Sequence, residues 1–305
     1  MTDQTQTAPP HSSSAAQIGI LMALAGCVLF SVKPIFIKIA YQYGGDATSI
    51  MTLRAFSSLP FYLLFFIYLC RGKENRLKVK THGLKAAAIG VMGYYLASFL
   101  DIASLAHISA QLERLLIFLF PTFVVLISWC LYAHKPNRTV ILSTLLGYAG
   151  IGFIVFHDFS TFGSAVVSGS FLAITSALVF AFYLVWSKPL ISHLGSSLFT
   201  SIGMGSAGLA ILVHLSLSNT SPADWSAELV IIGVLLGIFC TVLPSYLMAA
   251  AMARLTPTTL SLSNNIGPAI TAVFAVIVLD ELFTIWHAIG MILVVTSVYT
   301  LNKKR

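Results

Sequence analysis

Ten stretches of this sequence are apolar for about the length a helix needs to cross roughly 30 Å of hydrocarbon. They fall near residues 17–40, 49–70, 84–105, 109–133 and 139–157, then 168–191, 197–217, 228–251, 256–279 and 283–301. Inside a bilayer every backbone N–H and C=O must be bonded within the protein, so runs of this length admit only helices packed side by side. Composition agrees: of 305 residues, 57% are hydrophobic and 9% charged, against about 25% charged in soluble domains. The mean hydropathy is +0.90. The expected fold is therefore an all-α membrane protein of ten transmembrane helices. Lys33-Pro34 interrupts the first run, and Pro121, Pro244 and Pro268 lie in the fourth, eighth and ninth.

Charge then orients the chain. The net charge of +7 does not point to nucleic acid, because 13 of the 17 Lys and Arg sit in short hydrophilic breaks or at helix ends. Residues 71–85 hold Arg71, Lys73, Arg76, Lys78, Lys80 and Lys85; Lys135 and Arg138 follow the fourth run, Lys188 the sixth, Arg254 the eighth, and the tail ends Lys303-Lys304-Arg305. The intervening loops 41–48, 106–108, 158–167, 218–227 and 280–282 contain neither residue. Cytoplasmic loops collect Lys and Arg, so both termini are expected in the cytoplasm, with the chain in a bacterial inner (plasma) membrane. Residues 1–16, polar and rich in Ser, Thr and Pro, are expected to be a disordered cytoplasmic segment. They lack the basic start of a signal peptide. Cys27, Cys70, Cys130 and Cys240 lie in or beside apolar runs without metal-ligand spacing and read as small packing residues.

The chain also repeats itself. Laying Gly19 on Gly169 brings Ala23 onto Ala173, Phe30 onto Phe180 and Lys38 onto Lys188. Laying Pro121 on Pro268 brings Ala103 onto Ala250, Ser109 onto Thr256 and Leu126 onto Val273. Residues 17–157 and 168–301 thus read as two copies of one five-helix unit, followed by the basic tail 302–305. Five is odd, so the copies enter the membrane from opposite sides, a plan that secondary transporters use around a site near the midplane.

The motifs that carry the repeat are GILMALAGCVLFSVKPIFIK with its echo GSFLAITSALVFAFYLVWSK, Arg54 early in the second run, and ASLAHISAQL before Pro121 echoed by AAMARLTPTTL before Pro268. With these the sequence resembles the EamA-like branch of the drug/metabolite transporter superfamily over residues 18–301. Leu279-Asp280-Glu281 resembles the short acidic turn of that family, whereas the first half carries Tyr132-Ala133-His134-Lys135 in its place. The resemblance implies a transporter of small metabolites, and it alone suggests export.

A residue that recurs in both halves serves the fold; one present in a single half is freer to serve a substrate. Lys38 and Lys188 recur at span ends, where long basic side chains reach for the headgroups, and the two prolines recur as kinks. Lys33, Arg54, Asp101, Glu113 and Arg114 do not recur: their counterparts are Tyr183, Met204, Met248, Leu260 and Ser261. A charge at membrane depth costs a few kcal/mol on insertion scales, so each is a functional candidate by default. Lys33, Arg54 and Arg114 are candidate ligands for a substrate carboxylate, and Glu113 and Asp101 candidate proton carriers. A structural network, with Asp101 and Glu113 neutralising Arg54 and Arg114, accounts for the same charges. Asn264 and Asn265 would donate to a substrate or bond a neighbouring helix, and Tyr95 and Tyr183 would line a cavity or pack.

His107 reads as an outer-loop residue; His157, His193, His214 and His287 lie near span ends without metal-ligand spacing, so no metal site is argued. P-loop, GxSxG and HExxH motifs are absent, and no cofactor or enzyme activity is expected. The expectation is a secondary-active transporter, an exporter as the resemblance implies, moving a small polar metabolite such as an amino acid or organic anion by alternating access around a central cavity. Protons would be the coupling ion, lipid and metabolite the partners, and a monomer or homodimer the assembly. The rival reading is a membrane-embedded sensor or enzyme that uses the same pocket without translocation.

Overall fold

The computed structural model describes residues 13–132, 138–252, 254–255 and 266–303. It is helical, with no strand among the described residues. Eight helical spans are long and apolar enough to cross a membrane: Gln17–Gln42, Ala47–Leu69, Lys73–Ser104, Ala110–Leu131, Ile141–Ser160, Ala165–Leu194, Ser196–Leu217 and Ala227–Met248. Two shorter apolar helices, Gly267–Leu279 and Ile285–Ser297, complete the expected ten. We number these spans one to ten in chain order.

The exterior is what a bilayer requires. Leu64, Leu84, Leu142, Phe156, Phe171 and Ile292 all stand exposed on span surfaces, an apolar coat that water would penalise and lipid does not. Inside, the two halves interleave: span two packs on seven and eight, three on six and seven, one on eight and nine, four on six and nine, and five on ten. Small residues set the closest approaches. A Cβ on Gly90 would overlap the backbone of Gly203, and one on Gly150 would lie 2.7 Å from the Gly290 carbonyl oxygen. With no hydrophobic drive between helices in lipid, such van der Waals packing is what holds spans together.

The spans bend where the sequence marks them, and in places it does not. Helix Ser13–Ser31 ends at Val32 and a second helix opens at Lys33-Pro34, whose proline has no N–H to lose there. The same span in the second half, Ala165–Leu194, is one continuous helix. Span four breaks ahead of Pro121, between the helices Ala110–Ile117 and Phe120–Tyr132. Span three carries a π-helical stretch at Val91–Leu96, and span eight one at Ile238–Val242 just before Pro244. The shift that lays Pro121 on Pro268 also lays Val91 on Ile238, so this π segment is a property of the repeated unit.

Candidate functional site

Three of the charges named from sequence come together at the break in span one, and a fourth, Arg54, lies within their field. Lys33 is the first residue of its helix, and its Nζ lies 2.5 Å from Asp101 Oδ2 on span three. Thr271 of span nine donates to the Ser31 carbonyl beside the break (2.7 Å), pinning that helix end. Asp101 is 5% exposed and Glu113 only 2%, and the two carboxyl groups lie within electrostatic reach of each other. Asp101 Oδ1 and Glu113 Oε2 are buried without a hydrogen-bond partner among the described residues.

Capping fixes the register of these side chains. Asp46 and Ser49 form a capping box: the Asp46 side chain accepts from Ser49 N (2.7 Å), and Ser49 Oγ accepts from Asp46 N (2.8 Å). That start places Arg54 two turns into span two, buried, with Nη2 donating to Ser98 Oγ at 2.7 Å. Arg54 also feels the charge of Asp101. Below it, Ser58, Tyr62, Tyr94, Met204 and Thr241 enclose a cavity of about 20 Å³, enough for about one water molecule. Glu113 lies in the first turn of helix Ala110–Ile117, which Ser109 caps by accepting from Leu112 N at 3.1 Å.

A second carboxylate holds that helix start from across the molecule. Glu281 Oε1 accepts from Ala110 N (2.7 Å), and Oε2 accepts from the Gln111 side chain (3.3 Å). The acidic turn of the second half thus sits on the positive end of the helix that carries Glu113. Asp280 makes that turn with a left-handed φ of 53°. Lys38, half-buried, is within electrostatic reach of Glu281, whereas its repeat counterpart Lys188 is exposed. The two lysines recur in sequence but do not have the same surroundings.

The other candidates stand apart from the carboxyl pair. Arg114 turns toward spans one and nine: a Cβ on Gly267 would lie 3.0 Å from its Nη2 and 3.2 Å from Ser31 Oγ. The pairing of both acids with the two arginines does not form; the ion pair joins Asp101 to Lys33, and Glu113 meets Asp101. Tyr95 hydrogen-bonds His214 Nδ1 of span seven at 2.8 Å. Tyr183 donates to Tyr94 (2.7 Å) and packs over Gly93 in an aromatic cluster with Phe180 and Phe199. Asn264 and Asn265 lie outside the described residues. Sequence reasoning passed over Ser98 and Gln111 and named Glu281 only as part of the acidic turn; their contacts run across spans.

Interleaved spans, a lipid-facing apolar coat and charges gathered inside define an integral membrane protein. The chain belongs to the EamA-like transporter family, within the drug/metabolite transporter superfamily; the family model matches residues 17–156 and again 167–303. It is a membrane transporter. A Bacillus subtilis (strain 168) protein described as the uncharacterized transporter YcbK is 28% identical over 283 residues, covering 90% of this chain and 89% of its own. An uncharacterized transporter of Archaeoglobus fulgidus is 24% identical over 225 residues, 73% of this chain and 77% of its own. A protein solved by crystallography superposes with a TM-score of 0.60 at 18% identity, covering 95% of this chain and 97% of that one, a likeness of fold alone.

Proposed function

We propose that this protein is a proton-coupled secondary transporter that exports a small anionic or zwitterionic metabolite, such as an amino acid or organic acid. The observation that carries the reading is Asp101, buried between the Lys33 ammonium and the Glu113 carboxyl. We assign one proton to the two acids, and Lys33 and Arg54 then leave a net charge of +1 beside them, two cations against one anion. A substrate carboxylate is attracted to that excess and competes with Asp101 for Lys33. Releasing Lys33 from Asp101 changes which charges stabilise the acid pair, and so couples substrate binding to the proton between them.

The rest of the cycle follows from the packing. The cavity beneath Arg54 is far smaller than an amino acid, so a substrate enters only when spans part on one face. The Glu281 contact with helix Ala110–Ile117 ties the two halves at the face bearing loops 106–108 and 280–282. In the orientation read from the basic loops that face is outside and both termini are cytoplasmic. Opening outward therefore breaks this contact, and opening inward keeps it.

The test uses proteoliposomes loaded with the proteinogenic amino acids and small dicarboxylic acids, with efflux followed by mass spectrometry under an imposed pH gradient. One or more of these compounds leaves faster from wild-type vesicles when the gradient is imposed. Glu113→Gln keeps exchange of that compound but loses the response to the gradient, and Lys33→Gln loses both. Wild-type efflux that ignores the gradient, or a Glu113→Gln protein with the full response, overturns the coupling role.

A further inference from the structure

Span five ends, and span ten begins, at the face that carries Glu281. His157 and Asp158 lie in the last turns of span five, and His287 in the first turn of span ten. They are 129 residues apart in sequence, counting from Asp158 to His287, yet His287 Nε2 lies 3.3 Å from Asp158 Oδ1, and His157 Nδ1 lies 3.2 Å from the same oxygen. The three ligand atoms all fall within 4.8 Å of one another. Asp158 is 1% exposed and His287 4%, whereas Phe156 beside them is 79% exposed and faces lipid.

The spacing is that of a coordination site. Bonds of about 2.0–2.1 Å to a tetrahedral zinc put neighbouring ligand atoms about 3.3–3.4 Å apart. Two of the three edges here already have that length, and the third closes with a small rotation of the half-buried His157. The ring of His287 is held from behind: its Nδ1 lies 2.9 Å from Thr284 Oγ1 and accepts from Thr284 N at 3.3 Å, leaving Nε2 to face Asp158. A metal-bound histidine almost always donates its other ring N–H to a partner; binding at Nε2 puts the His287 proton on Nδ1, where Thr284 Oγ1 accepts it. Around the donors, Phe283 lies against His287 and Trp286 stacks on Phe153, an apolar wall that strengthens electrostatic binding inside it.

Asp158 also needs a counter-charge. A buried carboxylate is tolerated when paired or metal-bound, and among the described residues its ionic partners are the two imidazoles. A cation bound by all three groups neutralises the acid while leaving both rings in the neutral form that ligates. We propose that His157, Asp158 and His287 form a binding site for a divalent d-block cation of the zinc class. Two nitrogens and one oxygen suit zinc, cobalt, nickel or copper; calcium and magnesium prefer all-oxygen sets.

The ion would join the two repeats. His157 and Asp158 belong to the first and His287 to the second, and spans five and ten already pack closely where Gly150 meets Gly290 and where Ser297 Oγ donates to Ser143 O (2.5 Å). A metal there staples a pair of spans that already pack closely. It strengthens the fold and leaves the Lys33–Asp101–Glu113 cluster untouched.

The test is equilibrium dialysis of tag-free, full-length protein in detergent against Zn²⁺ in chelator-treated buffer, with bound metal read by mass spectrometry. One Zn²⁺ binds per chain and raises the unfolding temperature, and Mg²⁺ does neither. Asp158→Asn and His287→Gln each weaken Zn²⁺ binding at least tenfold, and Thr284→Val weakens it about tenfold by freeing the His287 ring. His193→Gln, at the other end of span six, changes nothing. Co²⁺ bound to the wild-type protein shows the intense visible absorption of a four-coordinate site, a readout that needs no variant. Failure of folded wild-type protein to bind Zn²⁺, a six-coordinate Co²⁺ spectrum, or binding by Asp158→Asn and His287→Gln as tight as that of the wild type overturns the site and leaves a histidine–aspartate ion pair.

Discussion

Replacing Lys33 with Gln tests the centre of the charged cluster. Asp101 is 5% exposed and the Lys33 side chain 20%, so the pair lies mostly out of water. Removing one partner of a buried pair costs about 3–5 kcal/mol, because the other charge is left without compensation. Here Asp101 keeps the field of Arg54, which places the loss near the lower end, about 3 kcal/mol. Asp101→Asn removes the charge but keeps an oxygen for Lys33, and should cost less. In the double variant neither residue carries a charge that needs the other. Its loss should fall short of the sum of the single losses by about 2 kcal/mol, the coupling expected of a direct contact. The assay is thermal unfolding in detergent followed by tryptophan fluorescence. Three kcal/mol corresponds to a fall of about 6 °C or more in the midpoint. A Lys33→Gln protein as stable as the wild type, or strictly additive losses in the double variant, would refute the pairing.

Two further outcomes follow from the ends of the spans. Glu281→Ala removes the carboxylate from the start of helix Ala110–Ile117 and should cost about 1 kcal/mol, the size of a lost cap, with Glu281→Gln recovering part of it; unchanged unfolding of the alanine variant would show that the contact does not hold the halves together. In a Cys-less background, cysteines at Ser221 or Ala223, both exposed, should react with an impermeant maleimide added to intact cells, and one at Asn75 should not; labelling at residue 75 from outside would reverse the orientation.

The membrane fold and the inverted repeat were legible because both rest on local or periodic signals. Apolar runs of spanning length leave the backbone no choice but helix, and a copied five-helix unit leaves matched glycines, prolines and lysines. The break at Lys33-Pro34 was legible for the same reason, since proline acts on its own turn. The exception to recurrence was informative too: the five charges missing from the second half include all four that gather around Asp101 or lie within its field.

Partnership was not legible. Hydropathy gives depth along a span but not rotation about it, so the sequence left Asp101 free to face either arginine. The tertiary structure turns Asp101 to Lys33 and Glu113, aided by a π segment at Val91–Leu96 that shifts the helix face and has no proline or glycine run to announce it. It also sets Glu281 on a helix start 171 residues earlier. Sequence spacing suggested no metal ligands for the same physical reason. His157, Asp158 and His287 converge because two spans of opposite direction meet end to start at one face, and such a meeting is decided by packing between helices rather than by any pattern along one of them.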